Sequence, residues 1–233
     1  MKFAPKVQAA LNNAGLGDIE ALRKIGAAGA FLLLKSQGLT VTNSVLWQLD
    51  AYERNVDWAE IDENRKNFLL QQIKEHPPTA IFPPEEIMAK MMDIALSEAQ
   101  TAAEKDEVPV GAVIVKDNKI IARAHNSCMA ENNIAAHAEI KVLAQAAQII
   151  GSCRLDECDL YITLEPCPMC AGAILQARIK RVIYALPEPK SGAAGSVVNL
   201  FHNRKLNHHT AVLSDIGADK AKKLLQQFFH NKR

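Results

Sequence analysis

The segments His137-Ala-Glu139 and Pro166-Cys167-Pro-Met-Cys170 stand out in this 233-residue chain, because their residue types and spacing could do chemistry. One imidazole and two thiols suit a tetrahedral ion such as Zn2+, and three protein ligands leave the fourth position to water, as in catalytic sites. Pro168 suits the first turn of a helix and puts Cys167 near its N-cap, while His137 opens a second helix. Helix N-termini carry partial positive charge and lower thiol pKa values, so these cysteines are placed to bind as thiolates. Bound zinc would make hydroxide available near neutral pH. Glu139, two residues beyond the histidine, should face the same pocket without being a ligand, where a carboxylate can accept and return a proton. Two other chemistries compete, a structural zinc knuckle and a redox Cys-x-x-Cys pair. The knuckle wants a fourth ligand, and neither Cys153 nor Cys158 has the paired spacing of such sites; the redox pair explains neither His137 nor Glu139.

The elements that must position these groups are legible in the pattern. Glu85 and Glu86 follow Pro84 at the positive end of a helix whose stripe reads Ile87, Met91, Ile94-Ala95 and Ala99, ending near Lys105. Val110–Val115 and Ile120–Ala124 are apolar and largely β-branched, with Asp117-Asn118 as turn residues between them, which predicts a hairpin. Helix and strand then alternate: a helix over 138–150, a strand over Leu160–Thr163, a helix over Pro168–Ala177, a strand over Arg181–Tyr184 and a short strand over Ala211–Leu213. Asp215–His230 closes the chain as an amphipathic helix. This is the pattern of an α/β protein with a three-layer α/β/α domain.

Residues 76–84 carry four prolines, which forbid helix and favour an extended connection. They divide the chain into a domain over 1–76, a linker over 77–84 and a domain over 85–233. In the first, apolar residues recur at helical spacing without strand-like alternation, so it should be all-helical, broken into short helices at Gly15, Gly17, Gly26, Gly29 and Gly38.

The N-terminus lacks a signal-peptide h-region, and the longest apolar stretch, Ile25 to Leu34, is far too short to span a membrane, which predicts a cytoplasmic protein with no membrane partner. An odd number of cysteines, five, argues against a disulfide framework. The net charge of +1 conceals an uneven distribution. Acidic residues outnumber basic ones two to one over 77–177, whereas 178–233 holds eleven basic against three acidic residues, beside His202, His208, His209 and His230. A concentrated positive face lets a protein of near-neutral total charge hold a polyanion, although such a run can equally be a solvated surface.

The same residues carry a resemblance. His137-Ala-Glu139 with Pro166-Cys-Pro-Met-Cys170 matches the signature of zinc-dependent base deaminases. Residues 85–233 resemble bacterial tRNA adenosine deaminases of the TadA type, within the cytidine deaminase superfamily. The matching blocks are Glu107-Val-Pro-Val-Gly-Ala112, His125-Asn126, His137-Ala-Glu-Ile140, Thr163-Leu-Glu-Pro-Cys-Pro-Met-Cys-Ala-Gly-Ala173, Gly192-Ala-Ala-Gly-Ser196 and Phe228-Phe229. The Gly-Ala-Ala-Gly-Ser block and the paired phenylalanines point to tRNA. The resemblance implies a cytidine-deaminase-like five-stranded sheet between helices, one zinc per subunit on His137, Cys167 and Cys170, a homodimer, and hydrolytic conversion of the wobble adenosine to inosine. The expected tRNA carries the anticodon ACG, with zinc-hydroxide attacking C6 and Glu139 carrying protons to a ring nitrogen and to ammonia. It further implies a flipped-out base near Asn126 and Ala138, and contacts to the anticodon stem-loop from Glu188 and Lys190, from Asn207 and His208, and from Phe229 and Arg233. Read by itself, Asn126 is a strand-end residue capping a turn.

Three departures stand out. Asn133-Ile-Ala-Ala136 replaces the usual Asp-Pro-Thr-Ala, Pro187-Glu188 replaces an Arg-Asp pair, and His230 stands where arginine is common. Residues 5–75 are similar to the C-terminal domain of TfoX-type competence regulators, in Ala14-Gly15-Leu, Ile19-Glu-Ala-Leu22, Ile25-Gly26-Ala, Phe31-Leu and Leu46-Trp47-Gln-Leu49. This marks an accessory or interaction module whose own partner is unknown. Its neutral charge argues against strong nucleic-acid binding by itself. Two rival functions remain at this stage: deamination of a free base or nucleoside, against which the basic C-terminal quarter speaks, and a catalytically silent nucleic-acid-binding partner, against which Glu139 speaks.

Overall fold

The computed structural model describes residues 3–232. The chain forms two compact units, divided between Ile81 and Phe82. The division falls inside the proline-rich stretch, where Ile81 packs on the core of the first unit and Phe82 on that of the second. Apolar side chains thus give each half of the connection to its own neighbour.

The first unit contains α1 (Pro5–Asn13), α2 (Ile19–Ser36), α3 (Asn43–Arg54), a 3-10 turn (Trp58–Glu60) and α4 (Glu63–Glu75), around Leu11, Leu22, Phe31, Leu34, Leu46, Leu49 and Leu69. Gly26 interrupts α2 at φ +73°, a conformation that a residue with a Cβ rarely adopts, and the Glu53 carboxylate caps the restarted helix at the Ala27 amide, 2.9 Å away. Gly29, expected as a breaker, is instead helical and buried. It is small because a Cβ there would meet Ile25 at 2.6 Å and His76 at 3.0 Å. Asp50, fully buried, is paired with Arg65 at 2.5 Å and with Arg54 at 3.4 Å.

The second unit is built on a five-stranded sheet: β1 (Gly111–Lys116), β2 (Lys119–His125), β3 (Asp159–Leu164), β4 (Arg181–Leu186) and β5 (Ala211–Leu213), in the spatial order β2-β1-β3-β4-β5. The β1–β2 hairpin turns on Asp117 and Asn118, both left-handed at φ +50° and +59°, as a two-residue turn between right-twisted strands requires. β3, β4 and β5 run parallel and β1 antiparallel to β3. Alternation along the strands separates two cores. Ile114, Leu160, Ile162 and Val182 face α7 (Ala138–Ile150) and α8 (Pro168–Gln176), whereas Val113, Val115, Tyr161 and Ile183 face α5 (Glu85–Glu104) and α9 (Ala218–Asn231). Burial on both faces explains why these strands read as unbroken apolar runs. A four-residue helix, α6 (Cys128–Glu131), escaped the sequence reading; it is too short to carry a periodic signal. The last helix starts at Ala218 and not at Asp215, because Asp215 and Gly217 sit at φ +72° and +78°, which a right-handed helix cannot include. Among the described residues no helix is long and apolar enough to cross a membrane.

Candidate active site

α7 and α8 pack in the same layer, and each begins with a ligand candidate. His137 is the N-cap of α7; Cys167 is the N-cap of α8, with Pro168 at the first position and Cys170 one turn inward. The meeting of these helix ends brings the potential ligand atoms of His137, Cys167 and Cys170 within 4.8 Å of one another. His137 Nδ1 lies 3.4 Å from Cys170 Sγ and 3.8 Å from Cys167 Sγ. Metal–nitrogen and metal–sulfur bonds of ordinary zinc length, set at the tetrahedral angle, place nitrogen and sulfur about 3.6 Å apart. The two nitrogen–sulfur distances bracket that value, so the group is compatible with a Zn2+ ion.

The grouped side chains shift one another's protonation. The Cys170 thiol donates to the Cys167 sulfur and, with the His137 imidazole and the helix-terminal amides, brings the Cys167 pKa down to about 4 against the cost of burial. Cys170 moves the opposite way, pushed up by that same hydrogen bond and by its burial. The contact with Cys167 raises His137. Glu139 lies in the first turn of α7 and is buried; desolvation raises its carboxyl above the usual range, and it meets the Cys170 thiol without joining the ligand set. Ala138, which separates His137 from Glu139 in the chain, is fully buried.

Asn126 follows the end of β2, its amide bonded to Val110 O at 3.0 Å. The next amide, Ser127, bonds Ala136 O at 3.1 Å, which ties Asn126 to the residue before His137. Its side-chain oxygen meets the Cys128 thiol at 3.9 Å, the local contact of a residue closing a strand end. Two further groups brace this loop: buried Glu107 accepts from the Ala130 amide at 2.8 Å, and Lys141 pairs with Glu131 at 2.7 Å. The segment Asn133–Ala136 is itself held, without the usual proline, by the Asn133 amide on Cys128 O at 3.1 Å and the Ala136 amide on Asn133 O at 3.0 Å.

The other residues singled out from the sequence disperse. Glu188 folds back on its own loop, accepting from the Lys190 amide at 2.8 Å, and Lys190 is exposed. Both follow the C-terminal end of β4, which runs parallel to β3 and emerges beside Cys167. Asn207 is exposed. His208 Nε2 is 2.9 Å from Ile179 O, before the start of β4, on the order of 20 Å along the strand from its far end at about 3.3 Å per residue. His208, expected as a substrate contact, joins Thr210 in securing the approach to β5. Phe229 lies in the other helical layer and is half exposed, while Phe228 packs inward at a ring distance of 5.3 Å. Lys232 pins this end of α9 to Asp106 at 2.9 Å, and Gly111, at the start of β1, bonds Thr163 Oγ1 at 3.1 Å. The tail carrying Phe229 is thereby brought to the cysteine end of the sheet. Arg233 lies outside the described residues.

One important group was missed. Glu165, between β3 and Cys167, is buried and accepts from the Ser196 hydroxyl and from the amides of Glu188 (2.9 Å), Ala194 (2.8 Å) and Ser196 (3.1 Å). Burial alone would raise its pKa, but these donors together hold it below the usual carboxylate value. An acid at the end of an apolar strand, in a chain with a Gly-Ala-Ala-Gly-Ser run, was the available signal.

Fold and site define an α/β/α domain of the cytidine-deaminase type with a His–Cys–Cys group that could hold a metal ion. Residues 87–233, more than half of the chain, match the MafB19-like deaminase family, and residues 3–73 match the TfoX C-terminal domain. The chain is 46% identical over 142 residues to a tRNA-specific adenosine deaminase of Agrobacterium fabrum, covering 61% of this chain and 93% of that one. It is 42% identical over 142 residues to the tRNA-specific adenosine deaminase of Bacillus subtilis, covering 61% and 88%. A solved structure from work on A-to-I editing by tRNA:A34 deaminases at the wobble position matches with a TM-score of 0.57 and 44% identity, over 58% of this chain and 99% of that one. A guanine deaminase from Nitrosomonas europaea shares the fold, with a TM-score of 0.53 and 23% identity over 69% of this chain and 91% of its own. The chain belongs to the tRNA-specific adenosine deaminase family.

Proposed function

We propose that this enzyme hydrolytically deaminates adenosine to inosine at the wobble position of tRNA, on an anticodon stem-loop with the sequence ACG. The observation that carries the reaction type is the convergence of His137 Nδ1 and the Cys167 and Cys170 sulfurs beside a buried carboxylate that is not a ligand. Those three residues would hold Zn2+, which supplies an activated water near neutral pH. Glu139 takes up the proton lost by the attacking water and passes it to the ring nitrogen beside C6; it then takes the second proton of that water, released as the C6 carbonyl forms, and passes it to the amino group, which leaves as ammonia. Burial favours its protonated form, which suits a group that must carry the proton between these steps. Asn126 orients the base, with Ala138 against it. The loop carrying Glu188 and Lys190 and the tail carrying Phe229 and Arg233 contact neighbouring nucleotides, bases stacking on the exposed phenyl ring. The tRNA substrate is supported by the relatives at 40–46% identity, and the wobble position by the work behind the solved relative. We further propose a cytoplasmic homodimer with one zinc per subunit, and a separately folding helical unit that serves as an accessory module.

Incubating the purified protein with an ACG-anticodon stem-loop and scoring inosine directly tests this reading. Inosine at the wobble position, with the reaction slowed by rising salt through weakened phosphate contacts, is the expected result. Efficient, salt-insensitive deamination of free cytidine or guanine, with the stem-loop untouched, would replace it with a free-base activity.

A further inference from the structure

Burying a carboxylate costs several kcal/mol unless its oxygens are fully engaged, so its position reports what it is there to hold. Glu165 is 3% exposed and engages four donors, all from residues 188–196. Its own amide bonds Leu186 O at 2.8 Å, which carries the pairing of β3 and β4 one step past the strand end. The loop beyond has almost no regular secondary structure, and it closes around the carboxylate as around a post. The Glu188 amide binds one oxygen on entry; on return the Ala194 and Ser196 amides bind the other, and the Ser196 hydroxyl binds the first. Gly192 stands at the closest point, where a Cβ would come within 2.4 Å of the carboxylate; no side chain fits between loop and post. A second tie, from the Ala193 amide to Pro166 O at 2.8 Å, binds the loop to the residue preceding Cys167.

We infer that Glu165 is a positioning residue for substrate recognition, holding the 187–196 loop in the shape that receives the nucleotides flanking the reacting base. This rests on the proposed tRNA reading and deepens it. The carboxylate makes none of the contacts that gather His137, Cys167 and Cys170, so recognition and chemistry separate at this residue. Glu165→Gln is the decisive change, because the amide keeps the size but turns one acceptor into a donor facing the amides or hydroxyl that now donate to it.

The test measures steady-state kinetics on the ACG stem-loop, zinc per chain, and hydrogen exchange at the amides of Glu188, Ala194 and Ser196, in the full-length wild type and in Glu165→Gln. Expected are unchanged zinc, a kcat within about twofold of wild type, a KM raised about tenfold or more, and faster exchange at those three amides. Ser196→Ala, which removes one donor and leaves the carboxylate in place, should raise KM by a smaller factor, about two- to fivefold; it keeps the question answerable if Glu165→Gln fails to fold. The inference is overturned if kcat falls at constant KM, if zinc is lost, or if exchange at the three amides does not change. A wild type inactive on the stem-loop would defeat the substrate reading itself, whereas the exchange result would still judge the loop's dependence on Glu165.

Discussion

The two cysteines of the candidate metal site and the loop from Pro187 to Thr210 follow the C-terminal ends of the neighbouring parallel strands β3 and β4, yet the site and the loop are held in opposite ways. His137 and Cys167 are helix N-caps, so their placement is shared among helix hydrogen bonds, sheet register and a common apolar layer. The loop has little repeating backbone and depends on single side chains: Glu165 at one end, His208 and Thr210 on Ile179 O at the other. Under the proposed function, chemistry is therefore built on rigid elements and recognition on a segment that a few substitutions can reshape. That contrast gives an expectation: changes in the ligand region should act on kcat or on metal, and changes in the loop on KM.

The largest effect belongs to Glu139. Glu139→Ala should keep zinc and reduce kcat by about 10²–10⁴-fold, since the carboxylate moves protons and is not a ligand. Zinc analysis beside single-turnover rates checks this, and loss of metal would make Glu139 part of the frame instead. The frame itself has a pH signature. Tyr161, fully buried in β3, has its pKa pushed up to about 12, first by desolvation and then by Asp159. An elevated folded-state value means that its contribution is complete below the unfolded pKa near 10 and is lost as pH rises towards 12, on the order of 2–3 kcal/mol. Denaturant melts across that range should show the loss, and Tyr161→Phe should flatten it.

Gly192→Ala sharpens the contrast from the loop side. Its Cβ meets the buried carboxylate at 2.4 Å, so the loop must move, at a cost of about 1–3 kcal/mol, with KM rising and kcat spared. A kcat loss equal to that of Glu139→Ala would erase the distinction. The smallest effect is expected from removing the helical unit. Residues 82–233 contain the complete ligand set and sheet, so this fragment should bind zinc and keep kcat on the stem-loop, and any loss should fall on KM for full-length tRNA. An insoluble fragment or a collapsed kcat would instead assign the first unit a part in the deaminase core.

What the sequence determined by itself was local. Cys-x-x-Cys after a strand, Pro168 at a helix start, His137 and Glu139 at another, and Asp117-Asn118 between β-branched runs all act within a few residues, so type and spacing carry the information. The five strands and the basic tail were legible for the same reason. Tertiary structure decided what depends on distant partners. Glu165 finds its donors 23, 29 and 31 residues away, and His208 its acceptor 29 residues away. Nothing local distinguishes a carboxylate that anchors a loop from one that faces water, or a histidine bonded across the fold from one left in solvent. The division between Ile81 and Phe82 is of the same kind: prolines mark an extended segment, but which core each apolar side chain enters is settled only when both cores exist. Short-range backbone preferences are written residue by residue, whereas the partners of a buried polar group are chosen by the fold that buries it.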